Sequence, residues 1–478
     1  MTDKPDLVIR NATVIDGTRA PRFQADIALS GGKISRIGKV KQKGKKEIDA
    51  AGKIAAPGFI DAHTHDDRLM LSSPDMAPKV SQGVTTVVAG NCGISLAPAP
   101  KGMRPPVAVP MDLLDDEGGW FRFRTFKEYV QALKKKPAAT NCALLVGHSM
   151  LRVQTMDDTS RIAVRSEIEK MRDMVDEAMK AGAIGVSTGL YYEPARAAPP
   201  EEVIEICRPL ARHGGIYCTH MRDEGDRVVE SLEESFRTGR ELGVPVVISH
   251  HKVVGKPNHG RSAETLPIIE RAMRSQKVGL DCYPYHASST ILSASRAANA
   301  SKVLVTWSKP HPEAAGMELG EIKKKLGLSV YELLPAGAIY FSMDENDVQR
   351  ILAFESTMIG SDGLPHDAAP HPRLWGTFPR VLGFYSRQLN LFSLETAVYK
   401  MTGLTAQTFG LAERGVLKAG YAADVVLFSE NQVEEQASFE KPIQAAKGIE
   451  TVIVNGKVVW REGKPTGVRP GRVLARSV

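Results

Sequence analysis

His63 and His65 stand two residues apart in the stretch GFIDAHTHDD, residues 58–67, with Asp61 two residues before them. Alternate side chains of a strand share a face, so this spacing predicts that the three polar groups point together toward one site. An imidazole is an acid or base near neutral pH and a frequent zinc ligand. A lone histidine is more often a satisfied interior group, so the pair needs company. Cys92, His220, His250 and Asp362 supply it, because each falls at or just past the end of a different β-rich apolar run. Scattered structural residues have little reason to recur at such ends, whereas a metal site in a barrel draws its ligands from several strand ends.

Thiolate and imidazole are donors suited to zinc, and three such ligands with a fourth position left open describe a catalytic site. Cys92, His220 and His250 form the tighter set in this reading. His63, His65 and Asp362 offer a second, more weakly held metal position or hydrogen bonds to the first. A structural zinc would take another protein ligand, commonly cysteine, and none stands at a fitting strand end. Cys142, Cys218 and Cys282 lie within strands and read as small core hydrophobes.

The elements that must position these residues are eight short apolar runs: 57–65, 83–92, 141–149, 183–191, 215–221, 245–252, 278–285 and 357–363. Amphipathic segments such as SEIEKMRDMVDEAMKAG, PEEVIEICRPLARHG and VVESLEESFRTGRELG lie between them, each with a glycine near its end. Alternation of this kind predicts an α/β fold, a (β/α)8 barrel over 57–414. Residues 93–140 and 286–356 exceed an ordinary βα loop of about 2 to 6 residues. The second predicts an inserted lid over 286–345, before strand eight, that covers the C-terminal mouth. Both termini read as alternating strands with glycine turns, so 1–56 and 415–478 are expected to combine into one small β-sandwich domain.

The chain of 478 residues is long enough for this arrangement, and its 42% hydrophobic and 24% charged content is that of a folded globular protein. The net charge of +7 is dispersed over lysine clusters near residues 40, 134 and 323, which reads against nucleic acid. Five cysteines without CxxC spacing suit a reducing compartment, with the cytoplasm expected. The opening MTDKPDLVIR has no secretory pattern, and no apolar run reaches membrane-spanning length. The implied partner is therefore a small molecule; nothing in the chain signals an oligomeric state.

GFIDAHTHDD, the Asp of GSDG and the late strand GYAADVVLF resemble the amidohydrolase superfamily. SQGVTTVVAGNCGIS, STGLYY, THMRDEGD, VVISHHK and GSDGLPHDAAPHPRLWGTFPRVLG are more narrowly similar to the N-acyl-D-amino-acid deacylases, or D-aminoacylases, over nearly the whole chain. Many superfamily relatives bridge two metals with a carboxylated lysine from strand four. Here that strand reads AIGVSTGL and has none, which weighs against a hydantoinase or dihydroorotase, while Cys92 fits the deacylase branch.

The resemblance implies zinc-dependent hydrolysis of an N-acyl-D-amino acid, the D configuration resting on the resemblance alone. An amide needs an activated water, a polarised carbonyl and a proton for the departing nitrogen. Zinc supplies the first two, lowering the pKa of water from about 15.7 toward roughly 7, and Asp362 is the expected proton shuttle. The substrate carboxylate calls for cationic and hydroxyl partners, for which Lys252, Tyr283, Ser288, Ser289 and Arg296 are the candidates. The resemblance adds Tyr192 at the reacting carbonyl, and Tyr191, Ala298, Tyr340 and Met343 around a mainly apolar side chain. Arg296 leaves acyl-glutamate or acyl-aspartate open. A cyclic amidase, a nucleobase deaminase on the same barrel, or an inactive relative serving assembly are the further alternatives; the last would have lost ligands, and all six positions are filled.

Overall fold

The structure is a computed structural model that describes residues 4–477; Met1–Asp3 of the opening segment and Val478 lie outside the described residues. Eight parallel strands make the central barrel, here counted one to eight: Phe59–Asp61, Val84–Ala89, Asn141–Gly147, Gly185–Gly189, Ile216–His220, Val246–Ile248, Val278–Cys282 and Thr357–Ile359. Each falls inside one of the eight apolar runs. Strands one and eight are the ends of the ladder, and backbone bonds join them: Ala62 N donates to Ile359 O at 3.1 Å and Asp362 N to His63 O at 2.8 Å. The seam of the barrel therefore passes between two candidate site residues.

Ile60, Val88, Leu145, Ile184, Ile216, Val247 and Met358 fill the barrel interior, a packed core rather than a pore. Phe409, Leu411 and Leu474 close its floor, so the open end is the C-terminal mouth. The inward position of Ile60 corrects one expectation. With a period of two, Asp61 must face outward, and it does not share a site with His63 and His65. The strand ends at Asp61, which frees the next turn to carry both histidines over the mouth.

The expected helices form at Arg165–Ala181, ended by left-handed Gly182, and at Val228–Leu242, ended by Gly243. PEEVIEICRPLARHG instead forms two helices, Pro200–Cys207 and Pro209–His213, because Pro209 cannot continue the hydrogen-bond ladder. In the first long connection, Thr125 and Glu128 form a capping box on helix Phe126–Lys135. The insertion after strand seven folds into an antiparallel sheet of Ala287–Ile291, Val303–Ser308 and Ala336–Phe341, the last in the centre. Its first strand carries Ser288 and Ser289.

Five strands near the N-terminus, Leu7–Val14 to Ile54–Pro57, and four near the C-terminus, Val425–Phe428 to Lys464–Pro465, share one nine-stranded sheet. The two sets meet where Ile54–Pro57 pairs antiparallel with Val425–Phe428. Ile9, Val14, Ile27, Leu427 and Ile453 give that sheet an apolar cluster of its own. No helix among the described residues is long and apolar enough to cross a membrane.

Candidate active site

The Cys92 sulfur lies 3.3 Å from His63 Nε2 and 3.3 Å from His250 Nε2, and His250 Nε2 lies 3.1 Å from His220 Nδ1. Asp362 Oδ1 is 3.2 Å from His65 Nε2 and 3.5 Å from His63 Nε2. All six side chains are buried at the barrel mouth. Three of them have left-handed backbones: Cys92 at φ 54°, His250 at φ 36° and Asp362 at φ 50°. Such conformations cost about 1–3 kcal/mol each and persist where the surroundings over-determine them, typically at functional sites. Here each turns a side chain inward just after its strand has ended.

The donor set fits a metal. Bonds of about 2.3 Å to sulfur and 2.0 Å to nitrogen at a tetrahedral centre imply donor separations of roughly 3.5 and 3.3 Å, close to those of Cys92, His250 and His220. Burial raises the Cys92 thiol, but His63 and His250 outweigh it and hold the group well below its ordinary value, which favours the ligating thiolate. Two clusters share His250: His63, Cys92, His250 and Asp362 form one, and His220, Glu224 and His250 the other.

Glu224 was not singled out from the sequence, although it stands four residues after His220 in THMRDEGD. Its Oε1 is 3.1 Å from His250 Nδ1, the nitrogen facing away from Cys92, and its other oxygen is 3.6 Å from His220 Nε2. A carboxylate behind a ligating imidazole fixes the ring's tautomer and orientation. Burial pushes the Glu224 carboxyl up, but Lys252, His220 and His250 hold it well below the usual range. Asp281, on strand seven, accepts the His250 backbone N–H at 2.9 Å and lies 3.6 Å from His63 Nδ1.

Arg373 was likewise passed over, inside the quoted PHPRLWG. Its Nη1 is 3.0 Å from Asp362 Oδ2, its Nη2 donates to Ser289 O at 3.2 Å, and its guanidinium lies 4.4 Å from the Tyr283 ring centre. Burial raises the Asp362 carboxyl, but Arg373, His250 and His65 outweigh it and hold it well below the carboxylate range. Burial also disfavours protonated His65, yet Asp362 and Cys92 bring it up to about 9. Asp61 faces away from this centre, where its carboxylate binds Lys79 Nζ at 2.9 Å and the Ser361 backbone N–H at 2.8 Å.

A cavity of about 20 Å³, roughly the room of one water, lies against the cluster and is lined in part by Tyr192, Lys252, Ser288, Ser289 and Arg296. Among the described residues Ser288 Oγ and Ser289 Oγ have no hydrogen-bond partner, nor has Arg373 Nε, so this wall retains polar capacity. Lys252 is already held by Glu224 at 2.7 Å. Tyr192 OH is 2.9 Å from Thr290 Oγ1, and Tyr283 OH donates to Met343 Sδ at 3.7 Å. Arg296 Nε donates to Tyr191 OH at 2.7 Å while its guanidinium covers that ring at 4.0 Å, and Arg296, Tyr191 and Tyr340 line an outer cavity. Ala298 leaves the set. It lies two residues beyond Arg296 on helix Ala294–Ala298, about 200° around the axis, and is exposed.

Comparison with known proteins gives a consistent picture. A profile described as the amidohydrolase family matches residues 46–264 and 349–460. The chain is 58% identical to a D-aminoacylase of Alcaligenes xylosoxydans xylosoxydans, over 99% of this chain and 98% of that protein. It is 53% identical to an N-acyl-D-aspartate deacylase of the same organism, over 98% and 95%. Among solved structures, an N-acyl-D-glutamate deacylase from Bordetella bronchiseptica, complexed with zinc and a phosphonate mimic of the tetrahedral intermediate, superimposes with a TM-score of 0.94 at 44% identity, covering 99% of this chain and 100% of that one.

Proposed function

The chain belongs to the amidohydrolase family, and from that premise we propose that it is a zinc-dependent deacylase that cuts N-acyl-D-amino acids into a carboxylate and a free D-amino acid. The observation that carries this reading is the Cys92 sulfur set between the nitrogens of His63 and His250, with Asp362 on the same cluster. Cys92, His220 and His250 would hold the zinc, and His63, His65 and Asp362 would offer a second, weaker position. Bound zinc supplies Lewis acidity that polarises the amide carbonyl and acidifies water.

The chain's own residues do the rest. Asp362, kept ionised by Arg373, accepts a proton from the attacking water and returns it to the departing nitrogen. Tyr192 donates to the carbonyl oxygen. Arg373, Ser288, Ser289 and Tyr283 receive the substrate carboxylate, while Lys252, held by Glu224, orients His250. Tyr191, Tyr340 and Met343 favour an apolar amino-acid side chain. A second reading, an acidic side chain, is favoured by one observation: Arg296 lines both the inner and the outer cavity. Five free, buried cysteines fit a cytoplasmic protein.

The test is a panel of N-acetyl-D- and N-acetyl-L-amino acids, assayed as purified, after chelation and after zinc is returned. Cleavage of the D series, lost on chelation and recovered with zinc, is expected. Preference for the L series, turnover of a hydantoin instead, or full activity after chelation overturns the proposal. N-acetyl-D-leucine against N-acetyl-D-glutamate, in wild type and Arg296→Leu, separates the two side-chain readings.

A further inference from the structure

The inner cavity is chemically lopsided. Almost every side chain around it is polar or belongs to the metal cluster, and the two aliphatic ones are Leu113 and Leu364. Both are buried, at 3% exposure, although neither belongs to the barrel core: Leu113 ends a single helical turn in the connection after strand two, and Leu364 follows Asp362 by two residues. Both line the same small cavity as Cys92, His220, His250 and Asp362, so these two leucines form part of the wall of the reacting centre.

Their position around the ring is specific. Polar groups reach the cavity from the strand-four to strand-seven side: Tyr192 follows strand four, Lys252 strand six, and Ser288 and Ser289 strand seven. The leucines come from the strand-eight and strand-two loops, flanking His65 after strand one. The turn under Leu113 is braced from that same segment, since Arg68 Nη1 donates to Leu114 O at 3.2 Å and lies 3.2 Å from Asp115 Oδ1.

An N-acyl amino acid has two arms on either side of its scissile bond. The nitrogen arm carries the carboxylate and must face the polar wall, which leaves the acyl arm for the remaining side. We infer that Leu113 and Leu364 form the acyl pocket and that Leu113, on its braced turn, limits acyl chain length to short groups such as formyl and acetyl. This rests on the deacylase reading and adds the substrate's acyl class to it.

The experiment measures kcat/KM for the N-acetyl, N-butyryl and N-hexanoyl derivatives of one D-amino acid with wild type, Leu113→Ala, Leu364→Ala and Leu113→Phe. Wild type should decline steeply with chain length. Leu113→Ala should raise the butyryl-to-acetyl ratio about 10-fold or more, the scale of one or two methylenes in a fitted pocket, and Leu113→Phe should lower it. The ratio of N-acetyl-D-leucine to N-acetyl-D-alanine should stay within about twofold in the same variants, because the side chain lies on the other arm. An acyl ratio unmoved in all three variants overturns the inference, as does a change confined to the side-chain ratio. Failure of wild type on every N-acetyl substrate would instead strike the deacylase reading, and the opposed alanine and phenylalanine changes separate a pocket effect from a folding defect.

Discussion

Arg373 Nη1 lies 3.0 Å from Asp362 Oδ2, with both side chains inside the protein and the Tyr283 ring against the guanidinium. The pair sets the protonation of the proposed proton shuttle, because Asp362 is useful as a base only while ionised. Burial alone would raise its carboxyl, and Arg373 is the largest of the influences that reverse this. Arg373→Met should therefore move the acidic limb of the kcat–pH profile upward and also raise KM through loss of a carboxylate partner. Asp362→Asn should lower kcat by roughly 10²- to 10⁴-fold at unchanged zinc content in the Cys92 site. An unshifted acidic limb in Arg373→Met, or near-normal kcat in Asp362→Asn, would remove Asp362 from this role.

Glu224 makes a separate prediction about metal affinity. Its carboxylate backs His250 at 3.1 Å and neutralises Lys252 at 2.7 Å. Glu224→Gln keeps the shape, removes the negative charge, and leaves a lysine ammonium beside a ligand imidazole. Zinc affinity should fall about 10- to 100-fold, the usual effect of removing a carboxylate behind a ligand. Competition with a chromophoric chelator measures it, and unchanged affinity would mean that Glu224 does not act through the metal.

Most of the architecture was legible because it follows from periodicity. Eight apolar runs separated by amphipathic segments admit few arrangements, and the positions just after those runs are where ligands belong. What was misread depended on local geometry. Asp61 shares the two-residue spacing of His63 and His65, yet Ile60 packs into the barrel, so Asp61 faces out while the chain turns before the histidines. Ala298 rested on resemblance alone, and on its helix it stands on a different face from Arg296 and is exposed. Arg373 and Glu224 were invisible for another reason. Charged residues in loops are ordinary, and only their approach to Asp362 and His250 marks them. Leu113 carried no signal, since one leucine in a long connection is indistinguishable from any other until its turn is seen folded over the mouth.

Stability should carry an acid-favouring component from Asp112 and Asp367. Burial raises each carboxyl to about 7, and each has an oxygen without a hydrogen-bond partner among the described residues. A carboxyl with a folded pKa above its unfolded value of about 3.8 binds more protons folded than unfolded. Its contribution is complete below about pH 4 and is lost as pH rises toward 7. Asp367→Asn should then gain in Tm relative to wild type as pH rises from 5 to 8, by a few degrees at ~1 °C per kcal/mol for a chain of this size. Thermal melts across that range test it, and a difference that stays flat or shrinks with rising pH would mean that Asp367 is ionised in the folded protein.

The barrel seam supplies the last prediction. Lys79, fully buried, binds Asp61 at 2.9 Å and Ser361 Oγ at 2.7 Å and lies 3.4 Å from Asp66, so one ammonium joins the segments that carry His63, His65 and Asp362. Its charge is matched by Asp61, with Asp66 raised by burial to about 6. Removing the lysine strands a buried carboxylate, which typically costs about 3–5 kcal/mol, whereas removing both partners costs far less. Lys79→Met should therefore be strongly destabilised, and Lys79→Met with Asp61→Asn should recover much of the loss. The double variant keeps the backbone bonds of the seam but still lacks the Lys79 link to Ser361, so its kcat should remain low while its Tm recovers. Full recovery of both would make the ion pair a matter of stability alone; recovery of neither would show that Lys79 holds the seam by packing rather than by charge.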